Sequence, residues 1–85
     1  MDPAVPLYED IMLRIDLPDI GLVAGDVGTV VECHAVPGME MGYSVEFFDM
    51  LGNTVAVVTL PASALRRPTV ADRPFVRQVN SLVEP

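Results

Sequence analysis

The sequence predicts a mainly β fold, a small barrel of about five antiparallel strands over residues 1–68 followed by a helical or extended amphipathic tail over 69–85. Three observations carry that expectation. Short runs rich in Val, Ile, Thr, Tyr and Phe alternate apolar with polar side chains, the period of a half-buried strand. Turn signals built from Pro, Gly and Asp separate these runs at intervals too short for a crossover helix, which excludes βαβ units. The stretch Gly25-Asp26-Val27-Gly28-Thr29-Val30-Val31-Glu32 reads as a tight glycine turn feeding a β-branched strand.

Taken in order, Leu7–Glu9 is a lead-in and residues 11–15 form an edge strand that Pro18 ends, since proline offers no ladder donor. Leu17–Leu22 is a compact loop, and Gly25 turns the chain into a strand over 27–35. On that strand Val27, Thr29, Val31 and Cys33 share the face expected to point inward, with Val30, Glu32 and His34 opposite. Val36–Gly42 is a glycine-bracketed hairpin loop leading to a strand over 43–48. Asp49-Met50-Leu51-Gly52 has the Asp-first, Gly-fourth pattern of a type I turn, so a hairpin to a strand over 55–60 follows. After Pro61 there is room for one helical turn over 62–65 and a last short strand over 65–67. In the tail, Asp72 is placed to cap a helix, and Phe75, Val76, Val79, Leu82 and Val83 fall on one helical face. Valine is a weak helix former, so an extended tail is the competing form.

Leu7-Tyr8-Glu9-Asp10, Asp16-Leu17-Pro18, Gly21-Leu22, the run from Gly25 to Glu32, Val45-Glu46-Phe47, Gly52 and Ala56–Leu60 together resemble a small bacterial family catalogued as domain of unknown function 4926, over residues 7–67. The resemblance implies a compact SH3-like β-barrel of cytoplasmic proteins. It implies no activity and no catalytic residues. This chain differs from the family pattern at Ile20, where an aromatic or His is common, and at Val23-Ala24, where a basic residue often precedes the glycine.

Composition restricts function more than it specifies it. Eighty-five residues allow one domain, and 51% hydrophobic content with 20% charged residues is too apolar for a disordered chain. The single Cys forms no internal disulfide, which suits a reducing cytosol, and no apolar run approaches the ~18 residues of a membrane span. A net charge of −7 with no Lys argues against nucleic acid, whose phosphates need cations to displace their counterions. The charge is uneven. Residues 1–65 hold ten acids and one Arg, whereas 66–85 hold four Arg against two acids, so the tail is expected either to dock on its own barrel or to leave the acidic body for a basic partner.

The chemistry-bearing residues make a thin set. Cys33 and His34 are neighbours on a strand and point to opposite faces, which excludes a thiolate–imidazole pair, and Cys33 is expected to be a buried structural thiol. Glu32 and His34 share a face that Glu46 can join, but one His with carboxylates is a poor metal set, so no metal or other cofactor is expected. Asp16, Asp19 and Asp26 lack the alternation and closing Glu of a calcium loop. They read as an acidic rim. Ile20, Met39 and Met41 are apolar residues at loop tips, and flexible thioethers suit adaptable binding surfaces.

The expected function is therefore a non-enzymatic protein-interaction module that binds a protein partner through Asp16, Asp19, Ile20, Asp26, Met39, Glu40 and Met41. Two alternatives stand beside it: an antitoxin- or immunity-type inhibitor of a basic partner, and a small accessory subunit of an enzyme with Glu32 and His34 reactive. The tail's apolar face leaves two expectations open, covering its own barrel or pairing with a second copy in a homodimer.

Overall fold

A computed structural model describes residues 4–79. Five strands form one antiparallel sheet: β1 Asp10–Leu13, β2 Val27–His34, β3 Gly42–Phe48, β4 Thr54–Pro61 and β5 Leu65–Arg66. Their spatial order is β4-β3-β2-β1-β5, and the sheet curls into a half-barrel. Its two ends are joined through a 3-10 turn, Ala62–Ala64, with Ala64 accepting a hydrogen bond from the Arg14 amide at 2.8 Å. A second 3-10 turn, Pro18–Ile20, lies in the β1–β2 connection.

The expected strands all appear, with ends shifted by local chemistry. β1 stops at Leu13, two residues early, because the Arg14 amide leaves the ladder for the 3-10 turn and the Leu13 carbonyl is taken by the Gly25 amide at 2.9 Å. β4 runs on through Pro61, which a strand at the edge of a sheet tolerates. The β3–β4 turn is held by Asp49, whose carboxylate accepts from the amides of Leu51 and Asn53 at 2.9 and 2.8 Å. These bonds keep the Asp49 carboxyl below its ordinary value.

Phe47, Ile11, Leu13, Val30 and Val45 are almost wholly buried and form the centre of the core. Their inward direction corrects the expected faces of β2. Gly28 opposes Phe47 and Val30 opposes Val45, both core residues, so the inner face begins with Gly28 and Val30 rather than Val27 and Thr29. A register shift between Val30 and Glu32 then inserts one extra residue, and beyond it Cys33 opposes the buried Tyr43 while Glu32 and His34 lie outside. The expected inner set is thus split, with only its last member, Cys33, on the core face. Cys33 is itself exposed as a residue, against the expectation of burial, although its thiol lies 3.6 Å from the Val5 carbonyl.

The tail departs from the helical expectation. Residues 72–79 take neither helix nor strand, while Leu82 and Val83 lie outside the described residues. Asp72 does not cap a helix. It accepts from the Arg66 guanidinium at 2.8 and 3.0 Å and from the Thr69 amide at 2.6 Å, which closes a turn over 69–72 and lowers its carboxyl far below the ordinary range. Phe75 and Val76 are 85% and 64% exposed, so they do not pack on the barrel.

Close approach of β2 and β3 requires Gly28. A Cβ there would stand 2.6 Å from Val45 Cγ1 and 2.9 Å from the Glu46 carbonyl oxygen, with the second neighbour being backbone that cannot swing aside. Gly28→Ala is expected to destabilise the fold by about 1–3 kcal/mol through overpacking, read as a lowered urea midpoint with an unchanged slope.

Candidate functional site

The β1–β2 loop brings the acidic residues together and then uses most of them internally. Leu17 and Leu22 exchange backbone hydrogen bonds at 2.8 and 3.2 Å, folding residues 17–22 into a tight unit. Asp16 accepts from the Ala24 amide at 2.8 Å and Asp26 from the Val23 amide at 3.0 Å, so two carboxylates brace the loop from either side. Arg77 of the tail donates to both oxygens of Asp26, at 3.0 and 2.5 Å, and to the Gly21 carbonyl at 3.0 Å. Burial alone would raise the Asp26 carboxyl, but the bond from Arg77, the Val23 amide and the guanidinium charge outweigh it and hold the value low. Asp19 and Ile20 stay exposed on the 3-10 turn.

On the outer face of the sheet, His34 Nε2 lies 2.9 Å from Ser44 Oγ and 3.7 Å from Glu32 Oε1, and Ser44 Oγ lies 2.9 Å from Thr59 Oγ1. An acid, an imidazole and a hydroxyl in contact suggest nucleophilic catalysis, but the relay needs the acid on one ring nitrogen and the hydroxyl on the other. Here both meet Nε2. The arrangement is a polar seam that satisfies Ser44, a buried hydroxyl, across three strands. Glu46 turns instead to the Thr54 hydroxyl, and no group of three metal-ligating side chains forms among the described residues.

An open groove of about 1050 Å³ lies at the β5 end of the sheet. Buried Val5, Ile11, Tyr43 and Leu65 form its floor. Met39, Glu40 and Met41 of the β2–β3 loop make one wall, and Arg14, Arg66 and Arg67 supply the cationic groups. The wall is pinned in place. Glu40 accepts from the Ser63 amide at 2.9 Å and from its hydroxyl at 3.1 Å, and the Met41 carbonyl accepts from the Ala62 amide at 2.8 Å. At the floor, the Tyr43 hydroxyl accepts from the Val5 amide at 3.0 Å and ties down the incoming chain. Met39 is 71% exposed, whereas Met41 packs partly against the core.

With this geometry in view, the family profile of a domain of unknown function (DUF4926) matches residues 7–67, most of the barrel. The chain belongs to the DUF4926 family. No curated protein and no solved structure matches it. Among the described residues no helix is long and apolar enough to cross a membrane.

The seven residues singled out in this DUF4926 chain divide between two places. Met39, Glu40 and Met41 line the groove, while Asp16, Asp19, Ile20 and Asp26 belong to the β1–β2 loop and do not line it. Sequence reasoning missed the three groove arginines. It also missed Met50 and Leu51, 81% and 88% exposed at the β3–β4 turn, though two apolar residues at the centre of a predicted turn were a readable sign.

Asp26 and Arg77 form an ion pair that fastens the tail to this DUF4926 barrel. Because the folded carboxyl lies below its ordinary 3.8, the pair's contribution is full above that pH and is lost as pH falls through the folded value. Arg77→Ala is expected to cost less than about 1 kcal/mol at neutral pH, the scale of a partly exposed pair. In urea titrations the gap between the variant and the parent should narrow below pH 3.8.

Proposed function

We propose that this protein is a non-enzymatic interaction module that binds a protein partner in the groove beside Met39, Glu40 and Met41. One observation supports the reading most directly: an apolar floor lies at the bottom of an open groove whose wall is already held by Glu40 and the Met41 carbonyl. A preformed groove avoids the ordering cost that a loose loop would incur on binding. Met39 stands exposed above it, and an unbranched thioether adapts its shape to a partner at little cost.

The rival surface is the β1–β2 loop. Asp16 and Asp26 are engaged with loop amides there and Asp26 also with Arg77, which leaves Asp19 and Ile20 to meet a partner. Two exposed residues are a small anchor beside a groove. The catalytic alternative draws no support from the Glu32–His34–Ser44 geometry, since one ring nitrogen serves both neighbours.

Affinity capture with the full chain from native lysate supplies the partner, and the variants supply the test. Met39→Ala should weaken capture about tenfold with the thermal midpoint unchanged, because that side chain lies outside the core. Met39→Ala with Met41→Ala should weaken it further, with a modest loss of stability from Met41. Asp19→Ala with Ile20→Ala should leave it intact. Undiminished capture by the Met39 variants would reject the groove.

A further inference from the structure

We infer that the partner segment taken by the groove is an acidic, apolar peptide, one that sets carboxylates against Arg14 and Arg67 and an aliphatic or aromatic side chain on the floor. The inference rests on the groove being the binding surface. Its ground is a local inversion of charge. The chain has five cationic residues in all, every one an Arg, and three of them line this groove on a protein of net charge −7. Arg14 is the only cation in residues 1–65, and it lies here.

Among the described residues the balance at the groove stays positive, three Arg against Glu40 in the lining and Asp72 beside Arg66. Arg66 is matched by Asp72 at 2.8 Å. Glu40, the only acidic residue lining the groove among the described residues, is engaged by the Ser63 amide and hydroxyl. Arg14 and Arg67 have no carboxylate within ion-pair distance among the described residues. Their known bonds are to backbone carbonyls, Arg14 Nε to Leu65 at 2.9 Å and Arg67 Nη2 to Ala4 at 2.9 Å, which orient each guanidinium while leaving donors unused. Glu9 and Asp10 line a smaller hollow that also takes in Arg67, and do not line the groove.

A basic segment would set its own charge against these guanidiniums. A purely apolar one would leave them desolvated without a partner, which is costly. An acidic segment meets both demands, because a carboxylate accepts two parallel bonds from one guanidinium. The groove is open and not enclosed, which favours a peptide over a small anion, whose sites bury most of the ligand. β5 ends the sheet and contributes Leu65 and Arg66 to the groove, so an extended segment also has a strand edge beside it.

The test is selection of a random heptapeptide phage library on the full-length protein, followed by fluorescence polarisation with the selected peptides made as C-terminal amides. The expected result is enrichment of Asp or Glu together with aliphatic or aromatic residues, and a tenfold or greater loss of affinity in Arg14→Gln with Arg67→Gln. Arg67→Gln alone, at an exposed position, should weaken binding measurably if the double variant proves unstable. Selected peptides that are basic or charge-indifferent, or that bind the arginine variants as tightly as the parent, would overturn the inference. If such peptides still lose affinity in Met39→Ala, the groove stands and only its charge preference falls. Failure to enrich any peptide, or peptides insensitive to both sets of variants, would remove the groove as well. A dimer in sedimentation that the arginine variants dissolve would assign the groove to a second copy and likewise overturn it.

Discussion

One extra residue in β2 governs the rest of the molecule. Side chains alternate along a strand, so an unbroken register would carry the face of Gly28 and Val30 straight on to Glu32 and His34 and turn two ionisable groups into the core. The bulge between Val30 and Glu32 reverses the parity. Before it, Gly28 and Val30 pack on Phe47 and Val45; after it, Cys33 faces Tyr43, and Glu32 and His34 face outward. The same step brings His34 over Ser44, which covers that hydroxyl with a partner. Tyr43 is inside by the alternation of β3 itself, and there its hydroxyl holds Val5 and completes the groove floor.

Charge is organised by what each carboxylate touches. Asp16, Asp26, Glu40, Asp49 and Asp72 all accept backbone amides, so much of the acidity of this chain serves as turn scaffolding. Such carboxylates do more than lend negative potential. Each satisfies a donor that a short loop leaves without a secondary-structure partner. Arginines then lock two of these turns to more distant segments, Arg66 to Asp72 and Arg77 to Asp26.

The strands were legible because alternation and turn residues agree for them: Tyr43, Val45 and Phe47 face inward as their period requires, and Asp49 and Gly52 close the hairpin as their positions suggest. β2 misled because Val30-Val31 is apolar on both faces, so the period does not show where the bulge falls. The tail misled for another reason. Phe75, Val76 and Val79 have helical spacing, yet Asp72 is taken by Arg66 and Thr69, and Arg77 reaches back to the β1–β2 loop. Tertiary ion pairs outweighed a weak local preference. Met39–Met41 could be singled out as apolar loop residues, but the groove they wall could not. Its arginines come from positions 14, 66 and 67, joined only when β1 pairs with β5 and sets Met12 against Arg66.

If the groove binds as proposed, a cationic groove on an acidic protein discriminates by distance. At physiological ionic strength the screening length is about 8 Å, so a ligand approaching from afar meets the protein's average field only weakly, and at contact it meets the groove. A long polyanion cannot confine itself to the groove, and its remaining charges run against the acidic body. A segment with one or two carboxylates and an apolar neighbour fits within the inverted patch, gaining the guanidinium bonds without reaching the repulsive surround. On that reading the net charge of −7 acts against dense anions, while Arg14 and Arg67 take a short acidic motif. On the proposed reading of the groove, the surplus of acid and the cluster of arginine are two parts of a single specificity.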